Sequence, residues 1–265
     1  MKLLINLVIL MVFITSCEKV IDVNLDSVDK KYVIEGNITD QPGICQVKIT
    51  QTKDFDENNT FPGVSGAIVT VSDNGGTPVV LTETSTGLYE TTAINGTVGH
   101  TYTLTVNVGG QTFTAPSTMP VLVTFDSIYI DERTFFGDLR KVPTLVYKDP
   151  EGKGNGYHFI EYKNNVREST IFVRNDDFTD GNDITTALLS FGDDDDDEDE
   201  IKTGDTIRVV MECIDPAGYK YWSSLEAAGG DSNNATPANP VTNIKGGALG
   251  YFSAHTTEEK TIVVP

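Results

Sequence analysis

Alternating apolar and polar residues dominate this chain, and helical spacing is nearly absent. Thr101–Val108 is the clearest stretch: Tyr102, Leu104, Val106 and Val108 fall on one side, and Thr101, Thr103, Thr105 and Asn107 on the other. A period of two sets one face on a core and the other in water. Gly109-Gly110 then supplies the positive φ angles of a two-residue hairpin turn, and residues 111–115 return. The same alternation predicts strands at 32–38, 44–50, 67–72, 79–84 and 88–91, separated by turns rich in Gly, Asn, Asp and Pro. About seven short strands of this kind suit an immunoglobulin-like sandwich.

Residues 115–120 (APSTMP) read as a crossover. Beyond it the pattern is less regular, with strands predicted at 121–130, 144–147, 157–163, 168–174, 206–214 and 261–264. Residues 149–156 form a long Gly-rich turn, and 217–228 (AGYKYWSSLEAA) are the one good helix, ended by Gly229-Gly230. The expected fold is therefore all-β. It comprises two β-sandwich-like domains, 32–118 (immunoglobulin-like) and 119–265, with one short helix in the second.

The first residues break this pattern. Met1-Lys2 is a short positive start, and residues 3–14 are apolar except for Asn6. About twelve residues is too short for a spanning helix, which needs roughly 20, and fits a signal-peptide core. Ile14-Thr15-Ser16-Cys17 follows directly: an apolar residue, two small ones, then Cys. This is the lipobox pattern. Small residues admit the peptidase, and the Cys thiol attacks a diacylglycerol donor before cleavage frees its amine. The expectation is a signal peptide at 1–16, lipidation at Cys17 and a linker over 17–31. Two or more acyl chains hold a protein stably on a membrane, where one binds only marginally.

Composition narrows the function. The 265 residues carry a net charge of −20, which argues against a nucleic-acid partner, because phosphate contacts need a basic surface. Much of that charge is local, in the acidic run 193–200 (DDDDDEDE). Calcium takes carboxylate oxygens, but a continuous run without turn residues repels itself and favours a solvated loop. Cys45 and Cys213 each lie on the apolar face of a strand and read as small core residues. A disulfide between them is chemically allowed outside the cytoplasm, so both readings stand.

Enzyme signatures are missing. His100, His158 and His255 share no ligand spacing, there is no nucleophile elbow, and no Gly-rich phosphate loop opens a helix. A non-enzymatic protein with no catalytic residues, no metal and no cofactor is expected. Tyr219, Tyr221 and Trp222 are the weak candidates for ligand contact, since aromatics gather at interfaces. The competing reading, favoured by the i, i+3 spacing of Tyr219 and Trp222, is the packed side of the helix.

Several segments, taken in order, resemble one family. They are Cys17-Glu18-Lys19-Val20-Ile21-Asp22, Tyr32-Val33-Ile34-Glu35-Gly36-Asn37-Ile38-Thr39-Asp40, Pro62-Gly63-Val64-Ser65-Gly66-Ala67, Thr86-Gly87-Leu88-Tyr89, and Val98-Gly99-His100-Thr101-Tyr102-Thr103-Leu104. The second half adds Asp149-Pro150-Glu151-Gly152, Tyr221-Trp222-Ser223-Ser224-Leu225-Glu226 and Gly247-Ala248-Leu249-Gly250-Tyr251-Phe252. Together they resemble the Bacteroidota lipoproteins called domain of unknown function 4249, over nearly the whole mature chain. The resemblance implies an outer-membrane lipoprotein encoded near TonB-dependent receptors. It implies no activity and no catalytic residues. The acidic run is not part of the family pattern, and Glu18-Lys19 meets the acidic signal for surface export only in part. The function expected is a binding or accessory module working with a TonB-dependent receptor in nutrient uptake. Stand-alone capture of a glycan or chelate, and a structural or adhesive role, are the alternatives.

Overall fold

The computed structural model describes residues 29–43, 45–53, 60–135, 137–190, 200–229 and 239–265. The expected signal peptide, Cys17, most of the 17–31 linker and residues 193–199 of the acidic run lie outside them. Met1–Asp29 with Lys53–Asn58 form one unit, and Lys30–Thr52 with Asn59–Pro265 form a second, which holds every element below.

The first half is a curled sheet. β1 (Tyr32–Thr39) buries Ile34, Gly36 and Ile38 and pairs antiparallel with β2 (Cys45–Gln51), which buries Cys45, Val47 and Ile49. β2 pairs with β5 (Leu88–Thr91), and β5 with β4 (Val79–Ser85). A bulge near Glu83 bends β4, whose earlier residues pair instead with β3 (Ile68–Asp73). β6 (Thr101–Val108) and β7 (Gln111–Thr118) complete the wrap. Their hairpin turns at Gly109 and Gly110 (φ 56° and 75°), as the sequence predicts. The enclosed core contains Ile34, Val47, Val71, Leu104, Val106 and Phe113.

The second half has two sheets. In one, β10 (Gly156–Lys163) pairs with β14 (Thr206–Ile214), and β14 with β15 (Leu249–Val263). Short strands β11 (Val166–Arg167) and β12 (Phe172–Asn175) flank β10. The other sheet is β8 (Phe125–Phe135), β9 (Asp138–Lys148) and β13 (Asp183–Ala187). The inward residues of both, including Phe125, Leu145, Tyr147, Phe159, Val209 and Met211, make a second core. Helix α1 (Pro216–Gly229) packs on the outer face of the β10–β14–β15 sheet. The all-β class, the sandwich-like halves and the helix in the second half, the one helix among the described residues, match expectation.

β15 joins the halves. Its first part runs parallel to β1, from Val33↔Leu249 to Thr39↔His255. Its second part runs antiparallel to β14, from Cys213↔Thr256 to Thr206↔Val263. Gly250 makes the close approach possible: its φ is +95°, and a Cβ there would lie 2.0 Å from the Ile34 carbonyl oxygen. Ile244, Ala248, Phe252 and Ala254, expected in the 119–265 domain, pack in the first core. A sheet can recruit a strand from any distance along the chain, so residues late in the sequence complete the first core.

Other expectations shift. Residues 121–124 are not strand, and 168–171 form none. Cys45 and Cys213 are both free and sit in separate cores, so the disulfide is not formed. Burial pushes the Cys45 thiol up to about 12, which makes it inert. Among the described residues, no helix is long and apolar enough to cross a membrane.

Candidate functional site

Polar chemistry concentrates beneath α1. Pro216 suits the first helical position, and Asp215 caps the helix, its Oδ1 accepting the Gly218 N–H at 2.7 Å. The other oxygen, Oδ2, accepts from the Ser117 hydroxyl (2.9 Å) and the Thr118 N–H (3.1 Å) at the end of β7. Ser117 Oγ accepts the Ala254 N–H of β15. One side chain thus fixes the helix start to both halves.

The helix aromatics land on this sheet face. Tyr221 is buried, while Tyr219 and Trp222 are half-buried. The i, i+3 pair is therefore not the most buried one, because α1 turns Tyr221 toward Tyr251 of β15, with ring centroids 4.8 Å apart. Trp222 stacks on His158 at 4.1 Å and 13°, and also meets Tyr251 at 5.1 Å. Tyr251 accepts a hydrogen bond from Asn37 of β1. Tyr221 and Trp222 meet edge to face at 5.3 Å, and the rings of Tyr251 and His158 already lie against them, while Tyr219 lies by Gly156 of β10.

The structure also unites two histidines that the sequence leaves apart. His158 and Glu212 are direct partners across β10 and β14. His158 Nδ1 lies 2.8 Å from Glu212 Oε2, and His255 Nε2 lies 3.5 Å from Oε1. His255 Nδ1 is 3.0 Å from the Ser253 hydroxyl. Burial alone would raise the Glu212 carboxyl, but the two histidines, His255 foremost, outweigh it and hold it at about 2. Glu212 is thus a largely buried anion, its side chain 15% exposed, with both oxygens engaged. A Ser-His-Glu order exists on paper, yet Ser253 is only 2% exposed. A hydroxyl enclosed in this way has no approach for a substrate carbonyl, so the network acts as a closed charge lock. Sequence reasoning missed it because strand register, not local spacing, creates it. His100 stays separate, paired with Asp73 at a half-exposed site.

A second polar cluster ties the loops at one end of the second half. Asp149, Asp176 and Asp180 each place one oxygen within 4.8 Å of the others. Asp149 accepts from the Tyr157 hydroxyl and the Gly181 N–H. Asp176 accepts from Gly154 N, Asn155 N and Asn155 Nδ2 at 2.9–3.0 Å. Asp180 accepts the Gly152 N–H. Hard cations use such oxygens, but the two buried carboxylates already have the donors they need, which makes this a loop clasp.

Strand shared between two cores, charge lock under the helix and loop clasp together define an all-β protein of two fused sandwich-like halves. The chain belongs to the family described as domain of unknown function (DUF4249), whose pattern matches residues 18–261. No curated protein matches it. Among solved structures, it is similar over 88% of its length to 95% of a chain in a cytokine receptor complex, at 8% identity and a TM-score of 0.25. It is similar over 90% of its length to the whole (100%) of the chicken interferon gamma receptor alpha chain, at 11% identity and a TM-score of 0.23. Likeness at that level does not bear on what the chain binds.

Proposed function

We propose that this protein is a non-enzymatic outer-membrane lipoprotein, anchored by lipid on Cys17, that serves a TonB-dependent receptor as an accessory in nutrient uptake. The lipobox Ile14-Thr15-Ser16-Cys17, directly behind the apolar leader, carries the reading. Tyr32 opens the first strand 32 − 17 = 15 residues later. Fully extended, that span reaches at most about 50 Å, so the folded unit stays near the membrane surface. Confinement to a surface raises the effective concentration of a partner in the same surface. The contacts would come from sandwich loops or an unpaired sheet edge. The closed state of the Ser253–His255–Glu212–His158 network supports a non-catalytic role.

A detergent-solubilised pull-down of the full lipoprotein from its native outer membrane, read by mass spectrometry, tests this. Recovery of a TonB-dependent receptor in near-equal amount is expected. Recovery of the lipoprotein alone would count against it. Retention of a Cys17→Ser variant on the membrane would remove the anchor from the argument.

A further inference from the structure

The second core ends in a cavity of about 180 Å³. Leu139, Val142, Leu188, Leu189 and Ile201 supply its apolar lining, and Glu161 supplies a carboxyl. Glu161 occupies a position that strand alternation assigns to an apolar side chain. It follows Tyr157 and Phe159 on the inward side of β10, and Val209, a core residue, faces it across β14. It is only 3% exposed, and its Oε2 has no hydrogen-bond partner. Burial, with Glu168 adding to it and Lys163 offsetting only part, pushes its carboxyl up to about 8.

Buried polar atoms are nearly always satisfied, and an exception calls for a reason. The other polar clusters here obey that rule: Glu212, Asp149 and Asp176 each have donors on both oxygens. Glu161 breaks it beside open space. Two cations border the cavity, and neither is free to serve it. The Lys141 ammonium donates to the Thr203 hydroxyl and the Pro265 carbonyl oxygen, both at 2.7 Å, and Arg140 also has a partner. Glu132 and Glu200 also line the cavity, and the chain as a whole carries −20, a field that draws cations.

We propose that this cavity binds a small organic cation, an ammonium group on a compact apolar body, with Glu161 as its counter-ion. An apolar cavity of about 150 Å³ takes up benzene, so this one suits a body of roughly six to eight heavy atoms. The ammonium supplies Oε2 with its missing donor, and the apolar body covers Leu139, Val142, Leu188 and Ile201. The site is independent of the membrane partner proposed above.

Calorimetric titration of the full chain in detergent with benzylamine tests it, with benzyl alcohol and benzoate as neutral and anionic counterparts. Saturable one-site binding of benzylamine is expected, at least tenfold tighter than benzyl alcohol, with no heat from benzoate. Glu161→Gln should weaken benzylamine at least tenfold. Glu161→Leu should abolish its binding and raise the unfolding temperature, because it replaces an unpartnered acid with the apolar residue the strand calls for. Absence of saturable benzylamine binding, equal binding of the alcohol or benzoate, or undiminished binding by Glu161→Gln would overturn the proposal. So would a lowered unfolding temperature for Glu161→Leu, which would give the carboxyl a structural role.

Discussion

Glu161 and Glu212 stand on neighbouring strands of one sheet, face opposite sides of it, and are driven in opposite directions. Glu161 looks into the second core and has an oxygen without a donor, and burial lifts its carboxyl to about 8. Glu212 looks toward α1 and is held between His158 and His255, which keep it at about 2. Both are largely withdrawn from water, Glu161 more than Glu212. Burial therefore does not decide the charge state; the partners do. The helix side has been furnished with counter-charges, and the core side has not.

The widest separation between the two should appear with pH. The folded pKa of Glu161 lies above the ordinary carboxylate value, so its contribution is complete below about 4.5 and is lost as pH rises to about 8. The fall amounts to roughly 4 to 5 kcal/mol across that window. Urea unfolding from pH 4.5 to 8.5 should show it in the wild type and not in Glu161→Leu. A slope undiminished in that variant would mean that Glu161 is not its source.

Removing the paired acid comes next. Glu212→Ala leaves two buried imidazoles without their anion and should cost about 3 to 5 kcal/mol by the same assay. A loss below about 1 kcal/mol would reduce the two carboxylates to equivalent bystanders. In the intact protein the Glu212 contribution is present above about 4.5 and disappears as pH falls toward 2. That acid-side loss is about 3 kcal/mol, opposite in sign to the Glu161 trend.

The loop clasp offers a third arrangement, in which buried carboxylates are satisfied by N–H dipoles and a phenol instead of charged groups. Asp176→Asn turns an amide against the donors of Gly154 and Asn155, and about 2 kcal/mol should be lost. A smaller change, about 1 kcal/mol, is expected from losing the ring stacking on His158 in Trp222→Phe, seen as a lower thermal midpoint. If that variant instead left the midpoint unchanged while shifting the His158 imidazole resonances, the indole would be tuning the lock without stabilising it.

Much of the first half is legible in the sequence, because each strand carries one buried face. Residues 101–118 show it best, where alternation, the Gly-Gly turn and the return strand all survive. The helix is legible because 217–228 is the one run free of alternation and closed by glycines, and it extends only one residue beyond expectation at each end; its cap at Asp215 and its first proline emerge only in the structure. The β8–β9 hairpin is legible only away from its turn, where strands are expected at 121–130 and 144–147. Asp131, Glu132, Arg133, Arg140 and Lys141 read as loop residues, yet they sit in a long ribbon whose backbone pairing tolerates charged side chains. β13 was missed because its short, mostly polar run (DITTA) resembles its flanking turns. β15 hides for another reason. Residues 253–256 are buried on both sides, so the run lacks the alternation that betrays a strand. The family resemblance marks architecture more than chemistry: Gly250 allows the approach to Ile34, Tyr89 holds the Val64 carbonyl and the Ala67 N–H, and Asp149 anchors the clasp. The charge lock could not be read at all, since His158, Glu212 and His255 meet only once two strand pairings are in register.

The strand that serves both halves has a consequence for how the molecule comes into being. Among the described residues β15 is the last element, and it lies against β1, the first strand. A polypeptide emerging from the ribosome therefore exposes β1 for nearly the whole of its synthesis before its neighbour arrives. Until then the first core lacks Ala248, Phe252 and Ala254, and the second lacks Val264. Such distant pairing makes for slow closure and leaves strand edges bare for strangers to occupy. An escort that shields β1 until then would suit this protein, and a chain cut short before residue 249 would be all but useless, however complete its first hundred residues.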